Sequence, residues 1–120
     1  MAYSPEFREV LDQIYSFTMN GRKSKKLRAD PRPPSLDVMR SLMEYLNQPQ
    51  QAYPIIHIAG TKGKGSTASF ISNTLINAGY KVGLYTSPHL HDFSERIKVN
   101  NRLIPHEAVA LAVEELEPFF

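Results

Sequence analysis

A run of glycine, lysine and hydroxyl residues in the middle of the chain has the composition of an anion-binding loop. We call it the phosphate loop, and its members are Gly60, Thr61, Lys62, Gly63, Lys64, Gly65 and Ser66. Its glycines let the backbone turn N–H groups toward an anion, and Lys64 adds a positive charge. A helix expected to begin at Lys64 would direct its positive dipole end at the same anion. This arrangement favours a nucleotide triphosphate as the ligand.

The phosphate loop differs from the common G-x-x-x-x-G-K-S/T pattern. Ile58 stands where that pattern has its first glycine, and Gly65 separates Lys64 from the hydroxyl of Ser66. The shorter form G-T-x-G-K-G-S is similar to the nucleotide loop of the Mur ligase superfamily. A second motif, Y-T-S-P-H-L at 85–90 followed by F-S-E-R-I at 93–97, resembles a loop of the folylpolyglutamate and dihydrofolate synthases. From about Leu36 to Pro105 the chain is similar to that family without a gap.

The resemblance implies an ATP-dependent ligase that joins L-glutamate to folate or dihydropteroate through an acyl phosphate. It assigns ATP to the phosphate loop, with Lys64 as the catalytic residue, and Mg²⁺ to the hydroxyl of Ser87. It places the segment from Ser87 to Ile97 beside the folate, without a contact for any one side chain. Lys62 stands where many relatives carry asparagine, which would add charge near the phosphates. The resemblance covers dihydrofolate synthase, folylpolyglutamate synthase and enzymes with both activities alike.

Four helices are expected from apolar spacing and end signals. The first begins at Ser4-Pro5 and ends at Asn20-Gly21, and the second begins at Ser35 and ends before Pro49. The third runs from Lys64 to Ala78 and stops at Gly79, and the last begins at Pro105. Each carries an apolar stripe that would pack against the body of the protein.

Two strands are expected around the third helix. The segment Pro54–Ala59 is nearly all apolar, as in a strand covered on both faces, and its His57 is expected to be a hydrogen-bonded core residue. The next strand covers 82–86, and a further one covers 97–100. Strand, helix and strand predict a right-handed βαβ unit with parallel strands. Ser87 would then lie at the same sheet edge as the phosphate loop. The fold class is α/β, with a P-loop NTPase-like, mostly parallel sheet and flanking helices.

The length bounds the domain organisation. A chain of 120 residues supports one modest core. The resemblance makes residues 1–120 part of an ATP-binding domain, with the smaller C-terminal ligase domain of the family absent from this chain. The ending Glu117-Pro118-Phe119-Phe120 would leave apolar surface uncovered, so the chain is expected to be a fragment of a protein that is monomeric at full length.

Composition excludes some classes of function. The chain has no cysteine, which rules out disulfides and thiolate chemistry. No apolar run approaches the ~18 residues of a membrane span and no signal peptide is recognisable, so a cytoplasmic protein is expected. His89 and His91 lack further zinc ligands at a suitable spacing, which disfavours zinc.

Residues 22–32 form a basic segment with six Lys or Arg residues and one Asp. A solvated loop is the favoured interpretation, because no aromatic residue is interleaved for base stacking. The other two interpretations of this segment are that it binds a polyanionic substrate or a nucleic acid.

Two alternatives to the folate ligase remain. One is a nucleic-acid-binding module that uses residues 22–32. The other is a different Mur-type amino-acid ligase, which would need a UDP-sugar domain before the loop, and the residues there are too few for one.

Overall fold

The computed structural model describes residues 3–23 and 36–119. They form two compact units, one from the described residues up to 55 together with 112–119, and one from residues 56–111. The helices are α1 (Pro5–Lys23), α2 (Asp37–Tyr45), α3 (Lys64–Asn77) and α4 (His106–Leu116), and short 3₁₀ helices cover Pro49–Gln51, Phe93–Arg96 and Glu117–Phe119. The strands are β1 (Gly83–Tyr85), β2 (Ile97–Val99) and β3 (Arg102–Leu103). None of the helices in the described ranges is long and apolar enough to cross a membrane.

Helix α1 begins as the sequence predicted. The hydroxyl of Ser4 accepts a hydrogen bond from the N–H of Phe7 at 3.2 Å, which satisfies one of the free donors at the helix start. Phe7 and Leu11 are 3% and 6% exposed and form the buried face. The predicted end at Asn20-Gly21 was wrong, because the helix continues to Lys23. One glycine inside a helix costs only about 1 kcal/mol relative to alanine, too little to stop it.

Helix α2 begins two residues later than predicted, at Asp37 with Leu36 before it. None of its residues is buried, and the exposed fraction of Met39 in its expected apolar stripe is 54%. Most of the basic segment 22–32 lies outside the described residues. In the same unit the ring of Tyr45 lies 5.6 Å from that of Phe119, and Val113 of α4 is 6% exposed.

Helix α3 ends as predicted. Gly79 has a φ of +92°, and its N–H bonds to the carbonyl of Ile76 at 2.9 Å. The next N–H, that of Tyr80, bonds to the carbonyl of Leu75 at 3.1 Å. This is the glycine-dependent ending that satisfies the last carbonyls of a helix. Helix α4 begins at His106 rather than Pro105, whose carbonyl accepts from the N–H of Ala108 at 3.0 Å.

The three strands form one antiparallel sheet in the order β1-β2-β3. Val99 pairs with Arg102, so Asn100 and Asn101 make a two-residue turn with φ values of 48° and 63°. Asparagine tolerates positive φ, which explains the pair. The side chain of Asn100 also accepts the N–H of Val82 at 2.8 Å. The sequence analysis missed β3, although two adjacent asparagines are a hairpin signal.

The parallel sheet predicted from the sequence is not formed in the described residues. Pro54–Ala59 is not a strand, and Ile55 and Ile56 are 59% and 60% exposed. His57 is exposed too, so its expected core role was wrong. An apolar run indicates burial, but a buried strand also needs a hydrogen-bonding neighbour and two covering layers. The described residues supply neither, and the observed architecture is α/β with a small antiparallel sheet.

Candidate functional site

The phosphate loop leads directly into α3. Gly60 has a φ of +152° and Gly63 a φ of +74°, conformations that side chains other than glycine rarely adopt. Gly63 is the N-cap of α3, and no side chain caps the helix there. The carbonyl of Gly63 accepts the N–H of Thr67 at 2.9 Å, which starts the helix. The N–H groups of the first turn before Thr67 are therefore open to an anion.

Lys64 folds back over the loop. Its Nζ donates to the carbonyl of Gly60 at 2.6 Å, and the residue is exposed. The ammonium group has three donors, so a phosphate oxygen could be bound beside or in place of this carbonyl. Gly60 and Lys64 thus bracket an exposed turn. The other members of the loop, Thr61, Lys62, Gly65 and Ser66, are also exposed.

Ser87 lies two residues beyond the end of β1 and is exposed. Its peptide bond to Pro88 is cis. Helix α3 contacts β1, but no hydrogen bond within the described ranges joins the Ser87 side chain to the phosphate loop. The parallel strands that were predicted to bring the two together are not formed within residues 36–119. The loop that follows Ser87 is held by hydrogen bonds of its own side chains.

Glu95 organises that loop, and the sequence analysis did not identify it. The Glu95 carboxylate accepts three backbone hydrogen bonds of 2.8 to 2.9 Å, from the N–H groups of Leu90, His91 and Asp92. These bonds hold the pKa of Glu95 down at about 2. Asp92 accepts the N–H of Ser94 at 2.8 Å, and its side chain forms a reciprocal capping box with Glu95, in which each carboxylate accepts the other residue's backbone N–H. The D-x-x-E spacing of Asp92 and Glu95 was the signal that could have found it.

Asp92 also contacts the start of α4. Its two carboxylate oxygens lie 3.2 and 3.0 Å from Nε2 of His106. Partial burial raises the pKa of Asp92, but the hydrogen bonds from the Ser94 N–H and from His106 outweigh it and leave the pKa below its ordinary value. This contact ties the 86–96 loop to the helix that follows β3.

Arg96 orders the other side of the loop. Its Nε donates to Nδ1 of His89 at 2.8 Å, and its guanidinium lies 5.4 Å from the centroid of the Phe93 ring. His91 is directed elsewhere, with Nδ1 4.0 Å from Glu95. In the part of the chain that the structure describes, no three His, Cys, Asp or Glu side chains are grouped as a metal site would need. A magnesium ion bound to the hydroxyl of Ser87 would take phosphate and water as its remaining ligands, as this ion commonly does.

Comparison with known proteins tests independently which family the chain resembles. No family model matches the sequence. A dihydrofolate synthase/folylpolyglutamate synthase of Bacillus subtilis is 44% identical over 85 residues, which are 71% of this chain and 20% of that protein. A probable bifunctional folylpolyglutamate synthase/dihydropteroate synthase of Haloferax volcanii is 40% identical over 86 residues, 72% of this chain and 10% of that protein.

Structural similarity points the same way. The crystal structure of folylpolyglutamate synthase from Thermotoga maritima matches 94% of this chain with a TM-score of 0.77 and 38% sequence identity, over 24% of its own length. The chain thus spans a quarter or less of these relatives. By sequence and by structure, the chain is a homologue of the folylpolyglutamate and dihydrofolate synthases over one part of their length.

Proposed function

We propose that this chain is the nucleotide-binding part of an ATP-dependent ligase that joins L-glutamate to folate or dihydropteroate. The observation that carries the proposal is the uncapped start of α3, where Gly63 in a left-handed conformation leaves the first-turn N–H groups open beside Lys64. The relatives that match most of this chain are named folylpolyglutamate synthase or dihydrofolate synthase. A ligase of this kind needs a triphosphate site, and the phosphate loop has the donors for one.

The phosphate loop would act by binding and orienting the triphosphate. The backbone N–H groups at Lys64, Gly65 and Ser66 would donate to phosphate oxygens, and Lys64 Nζ would leave the Gly60 carbonyl or share it. A bound Mg²⁺ would neutralise part of the phosphate charge. Ser87 would offer that ion a hydroxyl oxygen, a hard ligand suited to it. Fixed donors of this kind stabilise charge on the transferring phosphoryl group.

The reaction would proceed in two displacements. A carboxylate of the folate or dihydropteroate substrate would attack the γ-phosphorus of ATP, which releases ADP and forms an acyl phosphate. The amine of glutamate would then attack the acyl carbon, lose a proton and expel inorganic phosphate. Neither displacement requires a nucleophilic side chain from this chain. Its contribution is to position the phosphates and to stabilise their charge.

We further infer that Pro54–Ala59 becomes a strand of a parallel sheet in a protein as long as the relatives. The composition of the segment and the exposure of Ile55 and Ile56, 59% and 60%, support this. Apolar side chains at such exposure gain about 25 cal/mol for each Å² that a neighbouring layer covers. The ligase domain that completes the site would come from residues outside this chain.

A chimeric enzyme tests the proposed function. The 85 residues of the Bacillus subtilis protein that align with this chain are replaced by their counterparts here, and ADP release is measured with a folate acceptor. We expect turnover that requires both glutamate and folate, and its loss in the chimera carrying Lys64→Ala. The unaltered relative is the positive control. A folded chimera whose ATP hydrolysis is independent of glutamate and folate would contradict the proposal.

A further inference from the structure

The loop between β1 and β2, residues 86–96, is held closed by the side chain of Glu95. Both of its carboxylate oxygens accept backbone hydrogen bonds: Oε2 at 2.9 Å and Oε1 at 2.9 and 2.8 Å, from the N–H groups of Leu90, His91 and Asp92 respectively. A carboxylate with both oxygens engaged in this way is a poor candidate for a metal ligand. Its effect is to fix the path of three consecutive peptide units.

Arg96 closes the same loop from the adjacent position. Its carbonyl accepts the N–H of Thr86 at 2.9 Å, which continues the β1–β2 pairing by one step. Its Nε donates to Nδ1 of His89 at 2.8 Å, and its guanidinium stacks against Phe93. The backbone of Arg96 thus anchors Thr86, and its side chain anchors His89.

Ser87 and Pro88 lie between these two anchored residues. The hydroxyl of Ser87 is exposed, and no described hydrogen bond within residues 36–119 engages it, so its direction depends on the backbone on either side. That backbone is fixed at Thr86 by the Arg96 carbonyl, and from His89 onward by Arg96 and Glu95. An oxygen held in place before an ion arrives binds it better than one on a free loop, because less motion is lost on binding.

We propose that Glu95 and Arg96 are positioning residues that hold the hydroxyl of Ser87 in place for the divalent cation that accompanies the nucleotide. The role of the cation in this proposal rests on the proposed function. The geometry of the loop does not rest on it, and that geometry can be tested in the 120-residue chain with no ligand present. Two measurements therefore test the two claims separately.

The first readout is amide hydrogen exchange of Leu90, His91 and Asp92, followed by NMR. In Glu95→Ala we expect at least tenfold faster exchange at all three, because each N–H loses its acceptor. In Glu95→Gln the amide oxygen can still accept from His91 and Asp92, while the amide NH₂ faces the N–H of Leu90. Protection should then persist at His91 and Asp92 and be lost at Leu90. A Gln variant that exchanges like the Ala variant at all three would contradict the hydrogen-bond geometry.

The second readout is the Mg²⁺ concentration that half-maximally strengthens ATP binding. We expect Glu95→Ala and Arg96→Met each to raise it at least fivefold, while ATP affinity without Mg²⁺ stays within twofold of the unmodified chain. A variant that is merely unstable would weaken both. Glu114→Ala removes an exposed carboxylate from α4 and serves as the matched control, for which we expect no change.

The combined outcomes assign each failure to one claim. If the unmodified chain shows no Mg²⁺-dependent ATP binding, the proposed function and the cation role both fail, and the exchange data still decide whether Glu95 orders the loop. If Mg²⁺-dependent binding is present but unchanged in Glu95→Ala and Arg96→Met, the positioning role is overturned and the proposed function stands. Unchanged amide exchange in Glu95→Ala overturns the positioning role of Glu95 on its own.

Discussion

At the scale of single residues, the sequence predicted the local conformation of the phosphate loop better than the contacts of the loop that follows β1. The glycines were predicted to let the backbone turn, and Gly60 and Gly63 have positive φ values that other residues rarely adopt. Lys64 lies against the carbonyl of Gly60, within the loop where it was predicted. The spacing of Asp92 and Glu95 indicates a capping box, but the bonds that Glu95 accepts from Leu90 and His91 depend on a chain reversal that spacing alone does not show. Which backbone groups a side chain meets across a loop was the part that the sequence could not supply.

Ser87 gives the first test at this scale. Replacing Ser87 with Ala should raise the Mg²⁺ concentration needed for half-maximal ATP binding, because the ion loses one oxygen ligand. The thermal midpoint should move little, since an exposed hydroxyl without a partner contributes little to folding. Calorimetric titrations at several Mg²⁺ concentrations measure the effect, with Ser41→Ala on the exposed face of α2 as the control. An unaltered Mg²⁺ requirement would leave Ser87 as a turn residue only.

Acid titration gives the second residue-scale test. The pKa of Glu95 falls from 4.5 to about 2 because three backbone N–H groups bind its charged form. A folded-state pKa below the unfolded value means that the stabilisation is complete above pH 4.5 and is lost as the pH falls toward about 2. NMR shifts of the Leu90, His91 and Asp92 amides should therefore titrate with a midpoint near pH 2. A midpoint near 4.5 would show that the three bonds do not form in solution.

At the scale of elements, local signals predicted helices better than strands. The starts of α1 and α3 and the end of α3 matched because caps and glycines act within a few residues. The segment Pro54–Ala59 was assigned to a strand on apolar composition, although pairing and coverage come from distant chain. The β2–β3 hairpin was overlooked because its strands are only three and two residues long.

Two glycines of the phosphate loop should respond to alanine with opposite sign. Gly63→Ala places a side chain at φ +74°, and nothing within 4 Å of the new Cβ adds a clash, so the left-handed conformation alone should cost about 1 to 2 kcal/mol. Gly65 is helical with open space around it, so Gly65→Ala should stabilise the chain by roughly 0.5 to 1 kcal/mol. Urea unfolding of the two variants measures both. Equal effects of one sign would contradict the conformations assigned to the loop.

At the scale of the whole molecule, several large apolar side chains outside the phosphate loop are exposed. Phe70 is 75% exposed and Leu90 84% exposed, in addition to Ile55 and Ile56. In the relatives, the matching stretch is accompanied by several times its own length. The phosphate loop needs only its own backbone and α3 to form, whereas a ligase site also needs places for folate and glutamate.

The 120-residue chain alone should therefore show no ligase turnover. Within the described residues no cluster of acidic and histidine side chains is present to complete a metal site, and Ser87 supplies a single oxygen. The assay is glutamate-dependent ADP release with a folate acceptor, with the Lys64→Ala chain as the background. Turnover above that background would mean that the chain holds a complete site.

Calorimetric titration of ATP into the 120-residue chain tests the central claim most directly, because the proposed nucleotide site consists only of the phosphate loop and the start of α3. The unmodified chain is compared with Lys64→Ala, and with Lys81→Ala as an exposed lysine outside the loop. A hydrogen bond to a charged group contributes about 1.5 to 3 kcal/mol, so Lys64→Ala should weaken ATP binding roughly ten- to hundredfold. Lys81→Ala should leave it unchanged. Equal ATP affinity in the unmodified chain and in Lys64→Ala would contradict the assignment of residues 60–66 as a phosphate-binding loop.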